Sequence, residues 1–322
     1  MRKALLFVVV AAVSALPAAA QQDIQYSMYM MSPLYYNPGY AGVEGVTKIT
    51  AMHRSQWVNY GTNFDGRGGA PTTQLLSISA PILRIRSGVG IHLLNDNLGP
   101  NLNNIQAQAA YAYHLAIGES KLSFGIRAGI HSQSINKRKY RANDNPDPII
   151  EGMEESQIRP DISGGVFYRA EKYFAGVSFT HLTKAEFDWG ADPLKNALEP
   201  HMFVTAGYDY EFNYDLIITF SALFKSNTGN FKGSSVEASA IGVYRDKYWG
   251  GLSYRQGDAG IAILGISLLK DNSLRIGYAF DYTYKGADAK TPMSHEVLLS
   301  YSLPAGGGEG KKVIRTPRFR HE

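Results

Sequence analysis

Residues 274–284 read Leu274-Arg275-Ile276-Gly277-Tyr278-Ala279-Phe280-Asp281-Tyr282-Thr283-Tyr284. Leu274, Ile276, Tyr278, Phe280, Tyr282 and Tyr284 fall on one side of an extended chain, and Arg275, Gly277, Ala279, Asp281 and Thr283 on the other. Successive side chains of a strand point to opposite faces, so this stretch is a strand with one face in an apolar medium and the other against small or polar groups. The segments Ile105 to Ile117 and Met202 to Phe212 repeat the pattern. Helical spacing is not sustained anywhere beyond Val46.

Alternation alone also suits a soluble β-sandwich; length and aromatic placement separate the two. Many of the segments run 10 to 13 residues, against about 5 to 6 for a soluble strand and about 9 to 11 for a tilted bilayer crossing. Tyr and Phe gather toward segment ends, as at Tyr111 and Tyr113 and at Tyr208 to Phe212, where barrel girdles lie. The pattern predicts an all-β fold, a single transmembrane outer-membrane β-barrel of about 14 antiparallel strands, within a range of 12 to 16. The strands fall near 46–58, 71–82, 85–95, 103–117, 121–136, 158–170, 172–182, 200–212, 214–226, 232–246, 248–257, 259–269, 273–284 and 292–303. Connections at one end are tight turns, while those at the other include 137–157 and 183–199. That asymmetry is the barrel pattern, with short turns in the periplasm and long loops outside.

Composition bounds the chemistry. Among 322 residues there is no cysteine, which excludes disulfides, thiolate metal sites and a cysteine nucleophile. Arg2 and Lys3, the apolar run Ala4 to Leu16, and Pro17 before Ala18, Ala19 and Ala20 form a secretory signal predicted to be cleaved before Gln21. The chain divides into a signal over 1–20, an N-terminal periplasmic or plug segment over 21–45, a barrel over 46–303 and a basic tail over 304–322.

Segment 21–45 carries Tyr26, Met28, Tyr29, Met30, Met31, Tyr35, Tyr36 and Tyr40 together with Pro33 and Pro38. It is too apolar to stay solvated, and its prolines forbid a long helix or a central strand. It is expected to enter the barrel base as a plug, with docking on a partner as the alternative. The tail beyond Gly306-Gly307-Gly308 carries Lys311, Lys312, Arg315, Arg318 and Arg320 against Glu309 and Glu322. Its net +3 and the signal's +2, out of a whole-chain +4, leave the body at −1, so the basic character is local. With Phe319, these residues form a candidate docking peptide for a periplasmic partner. Nucleic acid is absent from that compartment.

Charges on the inferred inner face are Arg86, His92, Arg127, His131, Arg169, Glu211, Glu237, Arg255, Arg275 and Asp281. An arginine or lysine facing lipid at the midplane costs roughly 2–4 kcal/mol, so such groups must turn inward. They predict a polar lumen, plugged or open. Lys137, Arg138, Lys139 and Arg141 stand at a loop base where outer-membrane lipid phosphate could bind. The eight histidines are scattered in sequence, with no metal-binding spacing. Asn143-Asp144-Asn145-Pro146-Asp147, followed by Pro148, has prolines where a calcium loop needs ligands, and Gly88-Val89-Gly90 lies within a strand with no helix after it. These residues predict no catalytic set, no metal and no cofactor.

Several short runs, taken in order, carry a resemblance. Asp23-Ile24-Gln25-Tyr26-Ser27-Met28-Tyr29-Met30 and Asn37-Pro38-Gly39-Tyr40-Ala41-Gly42 resemble the opening D-P-Q-Y-S-Q-Y-M…N-P-A-Y-A-G of the PorP/SprF outer-membrane proteins of the Bacteroidetes type IX secretion system, with Ile24, Met28 and Gly39 departing from it. Arg54-Ser55-Gln56-Trp57-Val58, Ala70-Pro71-Thr72-Thr73-Gln74, Asn95-Asp96-Asn97-Leu98-Gly99-Pro100, Leu122-Ser123-Phe124-Gly125 and His295-Glu296-Val297 follow in order. The resemblance implies a non-enzymatic barrel that supports export or surface attachment of cargo such as gliding adhesins, and that contacts periplasmic ring or lipoprotein components. It marks Asp23, Gln25, Tyr26, Tyr29, Asn37, Pro38, Tyr40, Gly42, Arg54, Gln56 and Trp57 as the motif residues. A passive diffusion channel is the competing expectation, and a barrel hydrolase a third.

Overall fold

The computed structural model describes residues 23–60, 69–99, 101–136, 154–189, 196–228, 234–269, 271–285 and 291–303. Among these described residues sixteen strands occur in order: β1 Thr47–Ser55, β2 Thr72–Ile82, β3 Ser87–Asn97, β4 Leu102–Ile117, β5 Ser120–Asn136, β6 Glu154–Arg169, β7 Tyr173–Thr180, β8 Glu186–Phe187, β9 Asn196–Ala197, β10 His201–Asn213, β11 Leu216–Asn227, β12 Ser235–Tyr244, β13 Tyr248–Arg255, β14 Ala259–Leu268, β15 Leu274–Thr283 and β16 Met293–Leu303. Fourteen of them close into one antiparallel barrel in which each strand pairs with its sequence neighbours and β16 pairs with β1, Leu303 opposite Thr47 and His295 opposite Ser55. Closure gives every strand two partners, so the wall presents no unpaired edge to lipid. The remaining two, β8 and β9, form a small hairpin between β7 and β10.

Alternation decides which face is which. In β3 the even-numbered Gly88, Gly90, His92, Leu94 and Asp96 are buried, while Val89, Ile91 and Leu93 face out. Tyr111, Tyr113, Tyr208, Tyr210, Phe220, Tyr248, Tyr254 and Tyr282 are exposed large side chains on the outer surface, as an aromatic and aliphatic lipid face requires. The inner wall is built from small residues such as Ala110, Ala112, Ser123, Ser221, Ser239 and Ser253. Small inward side chains leave room for another piece of the chain.

That piece is residues 23–46. It holds a 3-10 turn at Tyr29–Met31, one α-helical turn at Pro33–Tyr36 and a second 3-10 turn at Pro38–Tyr40. Its start meets Thr180, His181 and His201, where the long connections emerge (the loop end). Its last residues meet Ser79 and Lys121, beside the short connections (the turn end), and lead into β1. The segment therefore runs the height of the lumen, further than the entry at the barrel base that its prolines and tyrosines predicted. Tyr26, Met28 and Tyr36 are 0–1% exposed and form the core with Phe203, Leu223, Trp249 and Leu298 from the wall. Two wall glycines let it pass: a Cβ on Gly88 would lie 2.1 Å from the Ala41 carbonyl oxygen, and one on Gly125 would lie 2.2 Å from the Gly39 nitrogen.

Several boundaries move. The expected strand from 85 starts instead at Ser87, because Leu83–Ile85 form a 3-10 turn closed by Arg86 at φ 52°. Arg86 is therefore exposed in a turn and is not a lumen charge. The sixth strand begins at Glu154 rather than near 158. No helix among the described residues is long and apolar enough to cross a membrane.

Candidate functional site

The inner wall binds the N-terminal segment through charge at the loop end, through aromatic packing and carbonyl capture in the middle, and through hydrogen bonds beside a cavity with charged lining residues at the turn end.

At the loop end the carboxylate of Asp23 accepts from His181 Nε2 at 2.8 Å and Thr180 Oγ1 at 3.2 Å, with His201 Nδ1 at 3.4 Å, and its backbone oxygen accepts from Lys225. Burial raises the Asp23 pKa, yet His181, His201 and Lys225 around it hold the carboxyl well below the usual range. Gln25 Nε2 donates to Glu237 at 2.9 Å. Glu237 is paired with Arg255 at 2.7 Å, Arg255 lies 3.8 Å from Asp281, and Arg54 bridges Asp281 at 2.8 Å and Glu296 at 3.2 Å. The plug completes this chain of charges. Backbone N–H groups of Ser27 and Met28 both donate to Glu296 at 2.8 Å, and Ser27 Oγ donates to Asp281 at 2.6 Å. Three carboxylates and two guanidiniums are thus at most 5% exposed. Burying that many charges is costly unless every lone pair finds a donor, and part of the donor set is the plug backbone.

In the middle, Tyr26 N–H donates to the Tyr36 hydroxyl at 2.9 Å, and edge-to-face rings link Tyr26 to Tyr35, Tyr35 to Tyr36 and Tyr36 to Phe203 at 5.0–5.3 Å. The turn Pro33–Tyr36 ends in carbonyls that a longer helix would have used. Arg127 captures those of Leu34 and Tyr35 at 3.2 and 2.7 Å, and Ser178 donates to that of Tyr36 at 2.6 Å. Asn37 accepts from Gly39 N–H at 2.8 Å and donates to the Val166 and Val177 carbonyls at 2.9 and 3.2 Å, binding the plug to β6 and β7 with one side chain.

At the turn end Tyr40 donates to Glu44 at 2.8 Å, Lys48 pairs with Glu44 at 2.8 Å, and Arg169 pairs with Asp209 at 2.7 Å. A cavity of about 120 Å³ lies here, lined by Tyr29, Met31, Phe174, Glu44, Arg169 and Arg275 among others.

Most of the expected residues meet at the plug, with exceptions. Asp23, Gln25, Tyr26, Tyr29, Asn37, Pro38, Tyr40, Gly42 and Arg54 lie in the segment or on its wall. Gln56 and Trp57 instead continue past β1 at the loop end, their N–H groups donating to the Pro71 carbonyl and the Ser294 hydroxyl. Arg127, Arg255 and Asp281 are buried, and Arg169 and Arg275 are half-buried. Glu211 keeps the inward register but sits beside a bulge at the rim, 59% exposed, with Lys172 at 3.7 Å. It is a rim charge rather than a lumen charge. The tail residues Lys311, Lys312, Arg315, Arg318, Phe319 and Arg320, the basic loop base at 137–141 and the run 143–147 lie outside the described residues. Sequence reading missed Lys225, His181 and His201 as partners of Asp23. Their one signal is inward parity near a strand end, which the scattered spacing of the histidines hides and which does not single out Lys225.

Residues 18–301 match the family described as the type IX secretion system membrane protein PorP/SprF. No curated protein sequence matches the chain. Among solved structures, the chain is similar to the Ralstonia pickettii toluene transporter TbuX, with 13% identity and a TM-score of 0.50 over 84% of this chain and 92% of that one. It is also similar to a deletion mutant of the monoaromatic hydrocarbon channel TodX, with 10% identity and a TM-score of 0.50 over 91% and 98% of the two chains. At such identity these likenesses establish the shared barrel fold alone. The family match, by contrast, covers the plug and the barrel together, and the chain belongs to the PorP/SprF family of type IX secretion system membrane proteins, with the fold of an outer-membrane β-barrel.

Proposed function

We propose that this protein is a non-enzymatic outer-membrane part of the type IX secretion machine, closed to free diffusion, that supports export or surface attachment of particular cargo such as gliding adhesins. The observation that carries the reading is the plug. A diffusion channel needs a continuous open lumen, whereas here residues 23–46 run the height of the barrel and are bound by buried ion pairs at one end and carbonyl capture in the middle. In this reading the turn end faces the periplasm, the loop connections 137–157 and 183–199 hold cargo outside, and the basic tail 304–322 couples the barrel to a periplasmic ring or lipoprotein component.

The test is quantitative proteomics of the cell surface and culture fluid with and without the protein. Loss of a few large surface proteins, with other outer-membrane proteins unchanged, is the expected result. An unchanged surface proteome would refute the reading and favour the channel.

A further inference from the structure

At the loop end, outside the ion chain around Arg54, the barrel brings together three donors that are far apart in sequence. His131 on β5, Asp161 on β6 and His181 just after β7 each offer a ligand-type atom, and these atoms all lie within 4.8 Å of one another. All three residues are buried, at 3%, 1% and 3% exposure. We propose that His131, Asp161 and His181 form a binding site for a divalent transition-metal ion of the zinc class.

Two independent observations support a metal over a satisfied polar cluster. The first is His131. Neither of its ring nitrogens has a hydrogen-bond partner, and one oxygen of Asp161, Oδ1, has none either. A buried imidazole with both nitrogens unmatched is costly, and a metal ion removes that cost at the nitrogen it takes. The second is the surrounding shell. A metal-bound histidine characteristically donates its other N–H to a carboxylate, and a ligating carboxylate is itself hydrogen-bonded. His181 directs Nε2 to Asp23 at 2.8 Å, which leaves Nδ1, 2.9 Å from Asp161 Oδ2, as the nitrogen free to ligate. Asp161 Oδ2 accepts from Gln108 Nε2 at 2.6 Å. Phe187, fully buried from the β8–β9 hairpin, covers the His131 ring at 5.7 Å and limits access of bulk water.

The donor set of two imidazoles and one carboxylate suits zinc among common ions and is poor for calcium or magnesium, which take oxygen ligands. Three protein donors are one fewer than a closed structural zinc site uses, which leaves a position for water or for a donor brought by a ligand at the loop end. Through His181 the site also reaches Asp23, so a bound ion would tie β5, β6 and the end of β7 to the start of the plug.

The experiment uses the full-length protein purified in detergent, stripped with chelator, dialysed against zinc and measured for metal content, with heat-modifiable gel migration as the check on folding. One zinc per barrel is expected, with X-ray absorption showing imidazole scattering. His131→Asn should abolish stoichiometric binding, and Asp23→Asn, which removes the outer charge shared by His181, His201 and Lys225, should weaken affinity about 10- to 100-fold. A folded wild-type barrel that retains no zinc after dialysis would overturn the proposal. So would bound zinc without imidazole scattering, or undiminished binding in folded His131→Asn. If that variant fails to fold, the wild-type stoichiometry and scattering still decide the question.

Discussion

Arg54 is the group whose removal should most clearly loosen the plug. Its guanidinium is 2% exposed and touches Asp281 at 2.8 Å, Glu296 at 3.2 Å and the Ser27 hydroxyl, so it joins two wall carboxylates to the segment they bind. Arg54→Met keeps much of the side-chain volume but leaves Glu237, Asp281 and Glu296 with Arg255 as the one remaining cation of that ion chain. Removing one partner of a buried pair costs about 3–5 kcal/mol. At 1.4 kcal/mol per decade this shifts the ratio of displaced to seated plug by roughly a hundred- to several-thousand-fold. Because the chain has no cysteine, Ser32→Cys supplies a single reporter at a plug position that is 2% exposed. Labelling by a membrane-impermeant thiol reagent should accelerate by at least about a hundredfold in the Arg54→Met background. Adding Glu296→Gln, which removes one stranded carboxylate, should recover part of the loss. Labelling within about threefold of the parent would show that the ion chain does not hold the plug.

Other outcomes follow from the same geometry. Gly88→Val places a Cβ 2.1 Å from the Ala41 carbonyl, so the barrel should still fold while the same cysteine reporter is labelled faster, by the 1–3 kcal/mol typical of overpacking; unchanged labelling would remove the close approach. Arg86→Gln, in an exposed turn, should leave reporter labelling unchanged. Burial pushes the Tyr29 hydroxyl up from 10.0 to about 12, so its contribution to plug docking should be constant below pH 10 and be lost as pH rises through 12; the same reporter should show a step there that Tyr29→Phe removes, and an unchanged step in that variant would contradict this. Deleting residues 304–322 should leave membrane insertion intact and reduce secretion of cargo, and normal secretion would remove the coupling role.

The fold was legible because a lipid-facing barrel writes a period of two into nearly every strand. Leu274 to Tyr284 and Ile105 to Ile117 show it without help from tertiary contacts. Turn geometry was less visible: Arg86 has the inward parity of β3 but belongs to the 3-10 turn before it, and Glu211 has the inward parity of β10 but lies at the rim. Tyrosines and methionines showed that segment 21–45 must be buried. They did not show that Asn37 would bridge two strand carbonyls, because that contact depends on where the segment lies against Gly165 and Gly176. The cluster at Asp23 was hidden for a different reason. His131, Asp161, His181 and His201 are spread over seventy residues, and only strand register and barrel curvature bring them to one level of the lumen.

Closure of the barrel by the plug is the feature on which the proposed function rests. Its most direct test is the conductance of the purified full-length protein in planar bilayers, beside a variant lacking residues 23–45 but retaining the signal. No steady conductance is expected from the intact protein, and large, stable openings from the deletion. Steady, ion-selective conductance from the intact barrel, unchanged by the deletion, would contradict it.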